Sequence, residues 1–182
     1  MVVIGDVHGR IGDYLHICRQ YKDTVQVGDL SASFRSLKKI LPAKGHRFIR
    51  GNHEPRSEIV DMPQWIPDGT YEDGVFYVGS ADHVVSTGEP DRVIDYDEWG
   101  DIKVKYTETR PSIVISHDCP VTAGHIMDRW DYKPNYTSSW LEQLLQEHVP
   151  IIWVFGHWHQ SRDFQAEGCN FICLDKLETR MI

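Results

Sequence analysis

The chain has 182 residues, of which 41% are hydrophobic and 25% are charged, and its formal net charge at pH 7 is −8. That length and composition predict one soluble globular domain spanning residues 1–182, since the chain is short for two domains. The negative charge argues against stable, sequence-independent binding to DNA or RNA, whose phosphates it would repel.

The first residues and the cysteines bear on where the protein works. The segment MVVIGDVHG contains no basic stretch followed by a long apolar one, and no apolar run approaches membrane-spanning length. The four cysteines, Cys18, Cys119, Cys169 and Cys173, show neither CxxC spacing nor the density of a disulfide scaffold. We therefore expect a cytoplasmic protein with reduced, mostly buried thiols and no membrane association.

The first third of the chain alternates between apolar runs typical of strands and apolar spacings typical of helices. In chain order, we predict a strand at 2–4, a helix at 11–21, a strand around 25–27, a helix around 34–41 closed by Pro42, and a strand around 48–49. This order of elements indicates a right-handed βαβαβ unit with parallel strands.

The pattern changes after residue 70, where short apolar segments predict several more strands. We expect strands at 74–80, 91–96, 101–108 and 112–116, a helix opened by a capping box of Ser139 and Glu142, a strand at 151–155, and a hairpin over 164–174 that turns at Glu167-Gly168. No internal repeat or convincing linker interrupts this order, which agrees with a single domain.

Polar side chains follow five of the predicted core strands. They are Asp6 and His8 in GDVHG, Asp29 in GD, Asn52 and His53 in GNHE, His117 in SH, and His157 and His159 in GHWH. Ligands of open parallel sheets bind outside the carboxyl ends of the strands, so we expect these side chains to share one edge. The spacing agrees, since Asp6 and Asp29 are as far apart in sequence as Asp29 and Asn52.

The chemistry of these side chains indicates metal binding. Imidazole and carboxylate ligands together suit borderline divalent ions such as manganese, iron or zinc. Even without His53, the seven candidate ligands are too many for one tetrahedral site and suit two adjacent sites. Any single motif could be structural, with Asp6 capping a helix or Asn52 filling a turn, but their joint placement at five strand ends favours a metal centre.

The ordered set GDVHG, GD, GNHE, SH and GHWH, which runs from residue 4 to residue 159, resembles the calcineurin-like metallophosphoesterases. The small size of the chain and its SHDCP block are similar to compact bacteriophage or bacterial members of that family. The resemblance implies an α/β fold with a two-sheet β-sandwich core, built on βαβαβ units and flanked by helices. It also implies a cytoplasmic location, in the host cytoplasm if a phage encodes the protein.

The resemblance further implies a dinuclear metal centre. Asp6, His8 and His159 would hold the first ion, Asn52, His117 and His157 the second, and Asp29 would bridge the two. The ions would be manganese, iron or zinc, with manganese expected to support activity in vitro. His53 stands at the family's catalytic position, near the oxygen of the leaving group, and acts together with Asp29 and Asn52.

By the same resemblance, the protein is a phosphoesterase that hydrolyses phosphomonoesters or phosphodiesters through attack of a hydroxide bridging the two ions. Small or nucleotide-type phosphoesters are the expected substrates, and the oligomeric state is open. Alternatives are a protein Ser/Thr phosphatase and a non-catalytic scaffold with the same fold. Because His53 and a complete ligand set are both present, the sequence favours the enzyme over the scaffold.

One motif departs from the protein Ser/Thr phosphatases, which extend the second motif to GDxxDRG. Here it reads GDLSASF, with Ala32, Ser33 and Phe34 in place of Asp, Arg and Gly. In those relatives the aspartate orients the catalytic histidine and the arginine grips phosphate, so their loss argues against a protein substrate. The substitutes that the sequence offers are Glu54, Asp118 or Asp82 to orient His53, and Arg10 and Arg56, with Arg50 and Arg129 as further candidates, to bind phosphate.

Overall fold

The computed structural model describes residues 1–30, 45–81, 94–128 and 130–182, and two β-sheets form its centre. Within these ranges the strands are β1 (Val2–Ile4), β2 (Thr24–Gln26), β3 (His46–Phe48), β4 (Thr70–Glu72), β5 (Val75–Val78), β6 (Ile113–Ser116), β7 (Ile152–Phe155), β8 (Arg162–Ala166), β9 (Cys169–Cys173) and β10 (Thr179–Met181). The helices are α1 (Ile11–Cys18), α2 (Arg56–Ile59), α3 (Tyr96–Thr109), α4 (Val121–Met127) and α5 (Tyr136–Glu147).

The smaller sheet has the strand order β10-β1-β2-β3. Its strands β1, β2 and β3 are parallel, as predicted, and β10 adds an antiparallel edge beside β1. The larger sheet has the order β4-β5-β6-β7-β9-β8, with antiparallel strands β4 and β8 at its two edges and parallel strands between them. Parallel strands point their carboxyl ends the same way, so each sheet collects its strand-end loops at one edge.

Apolar side chains fill the space between the two sheets. Val3 of the smaller sheet belongs to one buried cluster with Ile115 and Val154 of the larger sheet. Because side chains alternate along a strand, Ile4 points outward and packs with Tyr14 of α1. The outer face of the larger sheet packs against α3, α4 and α5. The two-sheet sandwich flanked by helices is the expected fold class, which is confirmed.

The two strands predicted between residues 91 and 108 are wrong for the part of the chain that the structure describes, because α3 lies there. The alternation of Ile102, Val104 and Tyr106 favoured a period of two, but Val104 is 58% exposed. The buried residues are Trp99, Ile102 and Tyr106, which are three and four positions apart. That spacing is the period of a helix, and packing on the larger sheet selects it.

The helix predicted from a Ser139–Glu142 capping box is present but begins earlier, and that capping box is wrong. The side chain of Asn135 accepts a hydrogen bond from the backbone N–H of Ser138, while the Ser138 hydroxyl accepts one from the N–H of Asn135. Glu142 instead accepts hydrogen bonds from the backbone N–H and the hydroxyl of Thr122, which joins α4 to α5. Asparagine caps helices as well as serine does, so the sequence offered two starts about one turn apart.

The other predicted elements agree with the structure apart from their lengths, whereas β4, β10, α2 and α4 were not predicted. Helix α1 ends at Cys18 rather than near residue 21, β6 and β7 lie in the predicted apolar runs, and β8 and β9 form the predicted hairpin. The helix predicted around 34–41 lies outside the described residues. All four cysteines are free and buried, as expected. Among the described residues, no helix is long and apolar enough to cross a membrane.

Candidate metal centre

The predicted ligands lie at the carboxyl ends of strands from both sheets. Loops after β1, β2 and β3 supply Asp6, His8, Asp29 and Asn52, and loops after β6 and β7 supply His117, His157 and His159. Six of these seven side chains form two sets of three, and within each set the ligand atoms lie within 4.8 Å of one another. The structure therefore brings ligand residues of both sheets to one place.

The first set consists of Asp6, His8 and His159. Nε2 of His159 lies 3.1 Å from Oδ2 of Asp6, and Nε2 of His8 lies 3.7 Å from the same oxygen. The two imidazole nitrogens are 2.7 Å apart, so three ligand atoms converge. Asp6 is fully buried, and a buried carboxylate needs a cation or hydrogen-bond donors around it. A borderline divalent cation fits this set of ligand atoms.

The second set consists of Asp29, His117 and His157. Nε2 of His117 lies 3.5 Å from Oδ2 of Asp29 and 3.1 Å from the side-chain oxygen of Asn52. Nδ1 of His117 lies 2.7 Å from the carbonyl oxygen of Val27. Because a carbonyl oxygen only accepts hydrogen bonds, Nδ1 donates, and Nε2 is the atom that faces the site and can bind a metal.

Asp29 lies between the two sets. Its Oδ2 atom is 3.6 Å from Nε2 of His8 in the first set and 3.5 Å from Nε2 of His117 in the second. Only 3% of its side chain is exposed. Its carboxylate is thus close to ligand atoms of both sets, and the bridging role that the resemblance implies stays a prediction.

Four of the predicted ligand residues have a left-handed backbone, which residues other than glycine seldom adopt. The φ angles are 47° at His8, 55° at Asp29, 64° at His157 and 51° at His159. Each such residue costs on the order of 1–3 kcal/mol, which the surrounding structure must offset. Gly28, with a φ of 106°, has no room for a Cβ, which would collide with a histidine ring of the second set. The strand-end turns therefore hold strained backbone while presenting ligand atoms to the site.

Hydrogen bonds to buried carboxylates hold these turns in place. Glu54 accepts hydrogen bonds from the backbone N–H of Asp29 at 2.8 Å and of Gly51 at 2.6 Å, which joins the loops after β2 and β3. Asp6 accepts a hydrogen bond from the backbone N–H of His157 at 3.0 Å, which joins the loops after β1 and β7. The second contact crosses from one sheet to the other, so the two sheets are fixed to each other at the site.

Asp118 supports the site beside His117. Its carboxylate accepts hydrogen bonds from the backbone N–H of Cys119 at 2.8 Å, the side-chain amide of Asn135 at 3.1 Å and the indole N–H of Trp158 at 3.4 Å. Trp158 lies between the two histidines of the GHWH motif. Asp118 therefore ties the turn that carries two ligands to the beginning of α5.

The electrostatics of the site favours cations. Burial raises the pKa of Asp6 and Asp29, but the neighbouring imidazoles lower it by more, so both carboxyl groups have a pKa below the usual value. Burial lowers the pKa of His117, but the negative charge of Asp29 raises it to about 10. Burial lowers the pKa of His157. Two ionised, buried carboxylates therefore concentrate negative potential where the ligand atoms converge.

His53 lies on the open side of the site, with 48% of its side chain exposed. Its Nε2 atom is 3.8 Å from Oδ2 of Asp29, and its ring centroid is 5.4 Å from that of His8. These three residues also satisfy the spacing of a metal-binding set. The geometry suits the predicted leaving-group acid and also a further ligand, and the two roles differ in whether metal binding needs the residue.

The two arginines predicted to bind substrate are engaged in ion pairs. Arg10 is exposed and pairs with Asp13, with the nitrogen and oxygen 2.7 Å apart. Arg56 pairs with Glu98 of α3 at 2.8 Å. Each ion pair leaves other guanidinium N–H groups of its arginine unused. The role of Arg10 and Arg56 in substrate binding stays a prediction.

The sequence also suggested other residues that could replace the missing aspartate and arginine of the GDxxDRG motif. Arg50 is fully buried in an ion pair with a buried aspartate, 2.7 Å away. Glu54 and Asp118, two candidates to orient His53, hold the loops described above. Asp82 and Arg129, together with the GDLSASF residues beyond residue 30, lie outside the described residues.

The sequence motifs did not point to residues 174–178, which lie against the first ligand set. The backbone N–H of Leu177 donates a hydrogen bond to the carbonyl oxygen of Asp6 at 3.0 Å. This contact follows from the antiparallel pairing of β10 with β1, which joins distant parts of the sequence. No local pattern signals such a pairing.

Removing and returning metal tests the two-ion centre. Metal-free protein titrated with manganese should bind about two ions per chain, because the ligand atoms form two sets and Asp29 lies within reach of both. The melting temperature should rise on loading, since an ion present at 100 times its Kd stabilises the folded state by about 2.7 kcal/mol. Elemental analysis and calorimetry measure the two quantities. Calcium, which prefers oxygen ligands, is the control metal. Saturation at one manganese ion per chain would contradict the prediction.

Comparison with known sequences supports the same chemistry. The model of a family described as calcineurin-like phosphoesterase matches residues 1–161. No curated protein sequence matches this chain significantly. The family match covers all seven candidate ligands and His53, and it stops before residues 174–178.

Solved structures share the fold at low sequence identity. A dimetal phosphatase from Danio rerio gives a TM-score of 0.57 at 13% identity, covering 92% of this chain and 76% of that one. Phosphopantetheinyl hydrolase from Mycobacterium tuberculosis gives 0.57 at 14% identity, covering 96% of this chain and 89% of that one. A Staphylococcus aureus protein, provisionally assigned as a 5′-nucleotidase, gives 0.56 at 12% identity over 96% of this chain. This chain spans about half of that protein, 48% of its length.

Proposed function

This chain belongs to the calcineurin-like phosphoesterase family, and we propose that it hydrolyses small phosphoesters at a centre of two divalent transition-metal ions. The observation that carries the proposal is the convergence of two sets of histidine and aspartate ligand atoms around Asp29. The first ion would be held by Asp6, His8 and His159 and the second by Asn52, His117 and His157. His53 is half exposed beside Asp29, where it would meet a substrate that approaches from solvent.

The ions and the side chains have separate tasks in this proposal. When bound, the ions supply positive charge for the phosphoryl oxygens and lower the pKa of water towards neutrality. Asp29 is buried and ionised, and it would belong to both metal sites, since its Oδ2 atom lies near an imidazole nitrogen of each set. Glu54 holds the backbone of Asp29 in place, so the ligand atoms are positioned before substrate arrives. His53 donates a ring proton to the departing oxygen.

Small or nucleotide-type phosphoesters suit this chain better than phosphoproteins. Ala32 and Ser33 stand where the protein phosphatases of this superfamily carry the aspartate and arginine described above. Arg10 and Arg56, the candidate replacements for that arginine, form ion pairs with carboxylates. The net charge of −8 also disfavours acidic macromolecules, including nucleic acids, as stable partners. Manganese is the proposed ion for activity in vitro, and a reducing cytoplasm suits the four free cysteines.

A substrate panel on metal-stripped protein reconstituted with manganese, zinc, iron or nickel tests this function. The panel contains an aryl phosphomonoester, an aryl phosphodiester, a cyclic nucleotide and a phosphoserine peptide. Manganese should support turnover of an aryl phosphoester, and the peptide should react at least about tenfold more slowly, because a charge-assisted arginine contact contributes about 1.5–3 kcal/mol.

The metal-free protein is the control for this panel. Absence of turnover with every metal would overturn the proposed function. Equal turnover of the phosphopeptide and the aryl phosphomonoester would show that another cation has replaced the missing arginine and would favour a protein phosphatase.

A further inference from the structure

Residues 174–178, which connect β9 of the larger sheet to β10 of the smaller sheet, form a loop against the GDVHG motif. The backbone N–H of Gly5 donates a hydrogen bond to the carbonyl oxygen of Glu178 at 2.9 Å, and that of Leu177 donates one to Asp6 at 3.0 Å. A Cβ on Gly5 would collide with the backbone of this loop. The loop therefore lies directly beside the first ligand set.

The conformation of the loop is held by its own side chains. The Glu178 carboxylate accepts hydrogen bonds from the backbone N–H of Asp175 and from the hydroxyl of Ser161, both at 3.0 Å. The Asp175 carboxylate accepts a hydrogen bond from the backbone N–H of Lys176 at 2.6 Å. The backbone of Lys176 is therefore fixed beside the metal centre, while its side chain is exposed.

Lys176 adjoins the first ligand set through the backbone, because the next residue, Leu177, donates its N–H to the carbonyl oxygen of Asp6 at 3.0 Å. The lysine side chain is exposed, so its ammonium can move on a flexible stem. Within the described parts of the chain, Lys176 forms no ion pair. Arg10 and Arg56, the cations that the sequence suggested for phosphate binding, each form an ion pair. Lys176 thus combines a position beside the metal centre with an ammonium group that no described carboxylate holds.

We propose that Lys176 is a substrate-binding residue, whose ammonium contacts the non-bridging phosphate oxygens of a substrate at the metal centre and favours phosphomonoesters over phosphodiesters. This inference rests on the proposed function. A lysine carries a compact charge on a flexible stem, so it can follow a phosphate group without a fixed geometry. A phosphomonoester carries about −1.5 to −2 charge at pH 7 and a diester carries one negative charge, so the attraction is larger for the monoester.

Binding of inorganic phosphate to the manganese-loaded full chain isolates this contact from catalysis. In isothermal titration calorimetry at low ionic strength, Lys176→Ala should weaken phosphate binding about tenfold, the loss expected for one charge-assisted contact. Lys176→Arg keeps the charge and should bind phosphate within about twofold of the parent. Salt should reduce the difference between parent and Lys176→Ala, because the ammonium is exposed. The KM of Lys176→Ala should rise more for an aryl phosphomonoester than for an aryl phosphodiester.

Lys22→Ala is the matched control, since Lys22 is also exposed but precedes β2, at the opposite end of the sheet from the metal centre. It should bind phosphate as the parent does. The inference would be overturned if Lys176→Ala bound phosphate as tightly as the parent does, or if Lys22→Ala lost as much affinity as Lys176→Ala. It would also be overturned if Lys176→Arg failed to restore binding, or if Lys176→Ala lost manganese. A parent that binds no phosphate would overturn it too. A parent that binds phosphate through Lys176 but hydrolyses no ester would overturn the proposed function alone.

Discussion

The Asp29→Asn variant should lose both metal ions under conditions that saturate the parent, and its turnover of an aryl phosphoester should fall by about 10³-fold or more. The Oδ2 atom of Asp29 lies within 3.6 Å of one imidazole nitrogen from each ligand set, so one substitution weakens both. Asparagine keeps the shape of the side chain and tolerates the left-handed backbone at Asp29, where φ is 55°. We therefore expect the variant to fold normally and to lose metal binding because the ligand has lost its negative charge.

Elemental analysis, the rate of hydrolysis and circular dichroism measure this prediction, and variants of single sets sharpen it. His159→Gly should weaken mainly the first ion and His157→Gly mainly the second, because each residue belongs to one set. Glycine removes the imidazole without straining the left-handed backbone at either position. Asp101→Ala, which removes an exposed carboxylate of α3, should retain both ions. If Asp29→Asn keeps two ions and turns over at the parental rate, Asp29 is not the bridging ligand.

The His53→Ala variant should keep both metal ions and lose about 10²- to 10⁴-fold in rate on an alkyl or nucleoside phosphoester, the usual contribution of a general acid. Its loss on a nitrophenyl phosphoester should be much smaller, because an aryl oxide leaves without needing a proton. His53 is 48% exposed and lies at the open side of the site, where it can reach the leaving group. The measurement is the ratio of the two rate losses, together with metal content.

His16→Ala, which removes an exposed histidine from α1, is the control and should behave as the parent does on both substrates. Loss of metal from His53→Ala would show that His53 is a ligand, completing the set that it forms with His8 and Asp29. Equal rate losses on both substrates with both metals retained would place its action on the phosphoryl group or the nucleophile.

The strand positions and the ligand chemistry were predictable because both are local properties of the sequence. Val2–Ile4 and Ile152–Phe155 are short apolar runs, and each is followed within a few residues by the polar side chains that its carboxyl end carries to the site. Helix α3 was predicted wrongly because its sequence supports two periods at once. Burial of Trp99, Ile102 and Tyr106 against the larger sheet, with Val104 left 58% exposed, decides between them.

By itself, the sequence determined which residue types are available to bind metal and in which order the strands deliver them, since a motif such as GDVHG is read within five residues. Only the tertiary structure decided how those motifs meet in space. It also decided which cations form ion pairs and which other part of the chain lies beside the ligand residues. Arg56 looks free in the sequence, yet Glu98 of a distant helix holds it. The partner of Arg10 is Asp13, only three residues away in the sequence. Lys176 belongs to no motif, yet the pairing of β10 with β1 brings it beside Asp6. The physical reason is that ion pairs and sheet pairings depend on distances in space, and residues far apart in sequence share no local pattern that would report them.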